Sequence, residues 1–244
     1  MSLEDVKTET IPGDYQFKAT YHGPISQRLW HLRKHDLLEF YLKNQNFSLI
    51  CDAGCGSGVI AAKVSSLASN SKVFAYDINE ESIKFAKNQY QQTNNLFFVR
   101  KDLLDKKQVE KIKFDFIYSF EVIEHFTKEE VNQYLCNLFR MGHQKTCYLL
   151  TTPDYLTMWY FIEWVMDNFS LAPKLADHQH LTKFTKDKLV NTISKNGFYI
   201  KKISNFCGIS PFVAHISRNL SDRVYNLEKR MQWGNLLFCE FEKK

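Results

Sequence analysis

The stretch Leu49-Ile-Cys-Asp-Ala-Gly-Cys-Gly-Ser-Gly58 constrains what this chain can fold into more than any other part of it. A short apolar run enters Asp52-x-Gly54-x-Gly56-x-Gly58, and an apolar-periodic segment, Val59 to Leu67, leaves it. A strand that turns on glycines into a helix is the opening unit of a doubly wound sheet, whose ligands bind where the strand order reverses. Glycines in such a turn meet two needs: backbone dihedrals that other residues resist, and a surface bare enough for a ligand to approach.

The same strand-then-helix texture continues. Apolar runs at Phe47 to Cys51, Lys72 to Tyr76, Leu96 to Arg100, Phe114 to Ser119 and Thr146 to Leu150 predict five short strands. Helices are expected at Val59 to Leu67, from near Asn79, and at Lys128 to Arg140, the last opened by a Thr127/Glu130 capping box and closed at Gly142. Repeated βα units imply a parallel sheet covered on both faces. A helix from about Ile25 to Leu42 precedes the first strand, after an irregular aromatic start. Beyond Thr152-Pro153 comes an aromatic segment, Tyr155 to Phe169, then a helix capped by Thr185 and closed at Gly197. Phe198 to Ile203 and Asn235 to Phe241 flank a long insertion and suit an antiparallel pair at the sheet edge.

Bulk composition narrows the class. With 244 residues, 44% apolar and 15% aromatic, the chain can close one large core without disulfides or structural metals. Cys51, Cys55, Cys136, Cys147, Cys207 and Cys239 form no CxxC pair and read as buried thiols in a reducing compartment. Met1 to Thr10 carries three acids against one lysine and no apolar run, so no signal or transit peptide is expected and the cytoplasm is the expected location. Tyr155 to Met166 contains Glu163 and falls far short of the ~20 apolar residues a spanning helix needs. The net charge of +5 is uneven: from Leu181 onward there are 12 Lys/Arg against 5 Asp/Glu, and before it 20 against 22. These cations are dispersed as on solvated helix faces, so nucleic acid is not an expected partner.

The glycine turn has two possible tenants. A dinucleotide seat wants G-x-G-x-x-G/A, with the pyrophosphate on the helix N-terminus. Here Val59 stands at the third position, and Asp52 adds negative charge just before the loop. Both disfavour a diphosphate and suit a ligand bearing a sulfonium and an ammonium. Asp77, 19 residues after Gly58 and at the end of the second strand, is placed to accept both hydrogen bonds of a ribose diol. Asp102, after the third strand, is placed for an adenine amino group. Each acid alone is commonly a turn residue; three at successive strand tips, in phase with a glycine turn, are harder to explain that way.

Asp52-Ala-Gly-Cys-Gly-Ser-Gly58, Tyr76-Asp-Ile78, Lys101-Asp-Leu103, Phe114-Asp-Phe-Ile-Tyr-Ser-Phe-Glu-Val-Ile-Glu-His125 and Leu150-Thr-Thr-Pro-Asp154 resemble the successive motifs of class I S-adenosylmethionine-dependent methyltransferases. The Glu-Val-Ile-Glu-His string, His178-Gln-His-Leu-Thr-Lys-Phe-Thr185 and Asn196-Gly-Phe198 further resemble the branch that contains the ubiquinone O-methyltransferase UbiG. The resemblance implies an α/β, Rossmann-like, seven-stranded, mostly parallel sheet with helical additions over the substrate site. It implies one methyltransferase domain over 1–244: a helical cap (1–46), a cofactor-binding half (47–154), and a substrate-side insertion that completes the sheet (155–244). It also implies S-adenosyl-L-methionine as cofactor, with Asp52, Ala53, Gly54, Cys55, Gly56 and Gly58 against the methionine part. Asp77 and Ile78 would take the ribose, Asp102 and Leu103 the adenine, and Phe120 with Glu121 would close over the cofactor. Arg28 and Arg33 are guesses for its carboxylate.

Methyl transfer from a sulfonium is an in-line displacement, so the chief task is to hold the acceptor collinear with the methyl group. Proton removal from a poor nucleophile suits a positioned imidazole, and His125 and His180, with His178 beside it, are the candidates; a structural hydrogen-bonding role for His125 is the competing reading. The expected acceptor is a small molecule, partly apolar, methylated on oxygen, such as a metabolite, lipid or glycan precursor, bound by a monomer or homodimer. Met158-Trp-Tyr-Phe-Ile-Glu-Trp-Val-Met166 is expected as core, dimer interface or a lid against that acceptor. Two alternatives stay open. Glu121, Glu124, His125 and His180 resemble the divalent-metal site of small-RNA 2′-O-methyltransferases, although no metal is the primary expectation. The fold can also serve as a non-catalytic cofactor-binding protein.

Overall fold

The structure is a computed structural model that describes residues 11–109, 112–168 and 180–244, save the side chains of residues 44, 163 and 165–168. Among the described residues two helices lead, α1 (Tyr15–Tyr21) and α2 (Ile25–Asn44). The alternating core follows as β1 (Leu49–Ala53), α3 (Val59–Leu67), β2 (Lys72–Asp77), α4 (Glu80–Gln89), β3 (Leu96–Arg100), β4 (Phe114–Phe120), α5 (Lys128–Met141) and β5 (Gly142–Pro153). Then come α6 (Trp159–Asn168), α7 (Lys186–Lys195), β6 (Phe198–Phe206), α8 (Ser210–Val213), α9 (Arg218–Met231) and β7 (Leu236–Lys243).

The strands form one seven-stranded sheet in the order β3-β2-β1-β4-β5-β7-β6, and β7 runs antiparallel to both of its neighbours. The expected antiparallel finish is therefore present, with the last strand inserted between β5 and β6. The chain runs outward from β1 to β3, then returns to lay β4 on the other side of β1. The reversal opens a crevice at the carboxyl ends of β1 and β4, the place where such sheets bind ligands.

Strand residues alternate between two cores. Ile50, Val73, Ala75, Phe116, Tyr118 and Leu149 pack with α2, α3 and α4 through Leu38, Ile60, Val64 and Ile83. Cys51, Ala53, Tyr76, Ile117, Tyr148 and Leu150 pack on the opposite face with α5 and α7 through Val131, Leu135, Leu138, Leu189 and Ile193. Period-2 burial on both faces is what a covered parallel sheet requires. The helix starts follow local chemistry: Thr127 and Glu130 close a reciprocal capping box, and Asn79, Thr185 and Ser217 each accept an amide of the first turn. The six cysteines are free thiols, four of them buried. Among the described residues, no helix is long and apolar enough to cross a membrane.

Candidate functional site

The β1–α3 turn is held from within. The amides of Gly54 and Cys55 donate to the Tyr76 carbonyl at 2.8 and 2.9 Å, and that of Gly58 to Cys55 at 2.9 Å. Gly56 donates to Asp77 Oδ2 at 2.7 Å. Amides that cradle a phosphate in a dinucleotide or nucleotide loop must point at the ligand; these four are already committed to the protein. Gly54 has φ +98° and a Cβ there would lie 2.3 Å from Val122 Cγ2; at Gly58, φ +79°, it would lie 2.5 Å from the Phe98 ring. Beside Gly56 sits Gln16 Oε1, 3.0 Å from the position of an added Cβ and buried with no hydrogen-bond partner. The glycines are thus required by close protein neighbours, and with its amides committed and an unpaired acceptor beside Gly56 the turn fits a cationic or hydroxyl-bearing tenant and not a diphosphate.

Asp77 uses Oδ2 on Gly56 and Oδ1 on the Asn79 amide at 2.9 Å, so the carboxylate is oriented while each oxygen keeps a lone pair. Burial raises its pKa, the backbone hydrogen bonds opposing. Asp102 Oδ1 takes the Leu104 amide at 2.8 Å, leaving Oδ2 as the oxygen a ligand amino group can use. Asp52 differs from both. It is 3% exposed, its Oδ2 has no hydrogen-bond partner, and burial pushes its pKa up to about 8. The negative charge expected from Asp52 is therefore largely protonated near neutral pH, because no cation stands beside the carboxyl to offset desolvation.

Across the crevice, at the end of β4, Glu121 adopts φ +55°, a strained backbone for a residue with a side chain. Two residues of α2 hold its carboxylate: Trp30 Nε1 donates to Oε1 at 3.1 Å, and the Lys34 ammonium pairs with Oε2. Burial would raise this carboxyl, but Lys34 together with these hydrogen bonds keeps it below the usual glutamate range. Lys34 itself is fully buried.

The third part of the mouth is a histidine pair. The short 3₁₀ turn Ile123–His125 presents His125, whose ring lies 5.2 Å from that of His180. Tyr155 Oη is 2.6 Å from His180 Nδ1, and Trp159 packs between His180 and Trp30 at centroid distances of 6.0 and 5.2 Å. Under them lies Glu124, 1% exposed: Oε2 accepts from Thr152 Oγ1 at 3.0 Å and Oε1 has no hydrogen-bond partner. Burial pushes Glu124 up to about 7. Ligand atoms of Glu124, His125 and His180 all lie within 4.8 Å of one another. The charge of His125 is felt at Asp77 and that of Glu121 at Glu124, which ties the three parts into one electrostatic neighbourhood.

Comparison with known proteins places this geometry. Residues 50–144 match the family described as "Methyltransferase domain". Magnesium protoporphyrin IX methyltransferase (ChlM) from Synechocystis PCC 6803, solved with bound S-adenosylhomocysteine, aligns over 99% of this chain and 98% of its own at TM-score 0.67 and 18% identity. The fold is that of class I S-adenosylmethionine-dependent methyltransferases. The N-methyltransferase NodS from Bradyrhizobium japonicum WM9, also in complex with S-adenosylhomocysteine, aligns over 98% of this chain and 97% of its own at TM-score 0.64 and 12% identity. In sequence, a release factor glutamine methyltransferase of Clostridium botulinum is 32% identical over 81 residues, 32% of this chain. That alignment spans 29% of the relative's length.

S-adenosylmethionine is the cofactor that goes with the matched domain, and the committed amides, the oriented Asp77 and the orphaned Gln16 oxygen fit it. Within the methyltransferase domain, Gly54, Cys55, Gly56 and Gly58 form the turn, with the Asp77 and Asp102 carboxyls half-buried at the next two strand ends. Ile78 and Leu103 follow those acids: Ile78 accepts from Arg100 Nε at 3.2 Å, and Leu103 is buried. Ala53 is buried, its carbonyl accepting from Tyr134 Oη at 3.0 Å, and Phe120 is buried against Tyr118. Arg33 is a correction: it pairs with Asp222 at 2.8 Å and stacks 3.7 Å over Tyr225, so it serves α9 and not a cofactor carboxylate. Of the four suggested metal ligands, Glu121 is separated from the other three by its bond to Lys34. Asp154 binds the Leu156 amide and Asn205 and acts as a turn anchor. His178 lies outside the described residues. Gln16, Trp30, Lys34 and Tyr155 were absent from the sequence-derived set, and no local motif marks them.

Proposed function

We propose that this protein is an enzyme that transfers the methyl group of S-adenosylmethionine to a hydroxyl of a small, partly apolar molecule. The observation that carries the reading is the His125–His180 pair at 5.2 Å, standing over the crevice beside the cofactor turn and walled by Trp159. The cofactor supplies an electrophilic methyl group when bound. The chain's own residues do the rest: Asp77 orients, Glu121 and α2 close one side, and an imidazole takes the acceptor proton. In the tautomer where His180 Nδ1 donates to Tyr155 Oη, Nε2 keeps its lone pair for that proton. Trp159 and Tyr155 give the acceptor an apolar wall, and the UbiG-like pattern of Glu121 to His125 supports a small acceptor over a macromolecule.

Calorimetric titration with S-adenosylmethionine, followed by S-adenosylhomocysteine release against a panel of hydroxylated metabolites, tests the reading. Cofactor binding with turnover on at least one phenol or alcohol is expected. Binding without turnover on any acceptor would make this a cofactor-binding protein only.

A second reading rests on the clustered ligand atoms of Glu124, His125 and His180, which offer a divalent cation one carboxylate and two imidazoles. A cation there would satisfy the orphaned Glu124 Oε1 and orient an acceptor hydroxyl such as a ribose 2′-OH. Activity on small acceptors that survives EDTA is expected from the first reading; loss with EDTA and return with Mn²⁺ would establish the second.

A further inference from the structure

We propose that the exposed face of α9 docks this protein onto an anionic lipid surface. A surface helix normally turns its apolar stripe toward the core, whereas this one buries a largely polar face and turns its apolar stripe outward. Tyr225, Ser221 and Glu228 point into the protein, and the Glu228 carboxylate accepts from the Gly208 amide and from the Ser210 amide and hydroxyl. On the other side Leu220, Leu227 and Met231, spaced i, i+7 and i+11, are 45%, 56% and 66% exposed among the described residues. Ile216, just before the helix, is 84% exposed.

Charge selects the occupant. Arg223 and Arg230 stand three residues after Leu220 and Leu227, so both guanidiniums border the apolar stripe. The two acids of α9 are withdrawn from it: Glu228 is buried, and Asp222 pairs with Arg33 and Arg218. What remains is an apolar ridge edged by cations without acids, the pattern of a helix lying in a lipid interface, with aliphatic tips in the acyl boundary and guanidiniums among phosphates. A side chain protruding as far as Ile216 enters a bilayer without needing a matching pocket. The excess of 12 Lys/Arg over 5 Asp/Glu from Leu181 onward adds long-range attraction of the same sign. The helix that carries this face is also joined to the site: Arg33 of α2 binds Asp222, one turn from Trp30 and next to Lys34, which hold Glu121.

The inference stands apart from the proposed chemistry, because lipid binding is read without turnover. The full-length protein would be co-sedimented with vesicles of phosphatidylcholine alone and of an equimolar mixture with phosphatidylglycerol. Binding to the anionic vesicles only, weakening as salt rises, is expected. Leu227→Asp should abolish it, and Arg223→Ala or Arg230→Ala should each weaken partitioning about fivefold. Circular dichroism and cofactor titration should be unchanged in all three variants, whose side chains are exposed. The proposal is overturned if neither vesicle binds, or if the variants partition like wild type. It is equally overturned if vesicles are ignored while Leu227→Asp dissolves a dimer in sedimentation velocity, or while the arginine variants abolish binding to RNA.

Discussion

The glycine turn and the mouth around His180 face the same crevice but are held in opposite ways. In the turn, backbone amides bond to the next strand's end, to Tyr76 and to Asp77, and the longest of these links, Gly54 to Tyr76, spans 22 residues. Around the mouth the links are side-chain pairs across the whole chain: Lys34 to Glu121, Trp30 to Trp159, Tyr155 to His180. A backbone-built seat is preorganised and resists single substitutions outside it. A seat built from side-chain pairs can lose one arm at a time, which lets acceptor choice change while the cofactor site persists.

Substitutions that separate the two regions sharpen this contrast. The largest effect is expected at the histidines: His125→Ala or His180→Ala should lower turnover by roughly 10²–10⁴-fold, with cofactor affinity unchanged by calorimetry. If affinity fell in parallel, the regions would be one unit and the contrast would fail. Next, Asp77→Ala removes an oriented carboxylate and strands the Gly56 amide, so cofactor affinity should fall roughly 100-fold, near the upper range for hydrogen bonds to a charged group. Retained affinity in that variant would unseat Asp77 as the ribose ligand.

Smaller effects concern the scaffold. Lys34→Met leaves Glu121 without its cation and should cost roughly 2–3 kcal/mol in urea unfolding, below the full buried-pair penalty because Glu121 keeps some solvent contact. Addition of Glu121→Gln should recover part of that loss; no recovery would place the cost in packing instead. The last is at Asp52 and is confined to a pH window. Its native pKa of about 8 against 3.8 means the unfolded chain releases this proton first, so stability falls as pH rises from 3.8 to about 8 and levels off above. Asp52→Asn removes that slope: melting temperature should rise at the alkaline end of the window and stay unchanged at the acid end. An unaltered slope would show that Asp52 is ionised in the folded protein.

Much of the fold was legible because its signals are local. Val59–Leu67 and Leu96–Arg100 fall where the apolar pattern places them, and Thr127 caps α5 as its sequence demands. Where the signal weakened, so did the reading. The strand expected at Thr146 to Leu150 runs from Gly142 to Pro153, because Gly142 already pairs with Phe114 of β4 across an irregularity that the register passes before it resumes at Cys147. Helix α1, Tyr15–Tyr21, has no side-chain cap to announce it, whereas Ser217 at the start of α9 was a usable signal inside what reads as an insertion. Two tryptophans of the aromatic segment show the limit well: Trp159 is buried at the mouth and Trp164 is 53% exposed.

From its residues alone the chain determined that a sheet reverses at a glycine turn and that acids stand at the following strand tips, because dihedral preference and strand period act over a few neighbours. Only the tertiary structure decided which acid keeps its charge, which lysine is buried, and which histidine meets which tyrosine. Those outcomes depend on desolvation and on contacts between residues far apart in the chain, as in Lys34 with Glu121 and Asp52 beside Tyr118, and no local pattern records them.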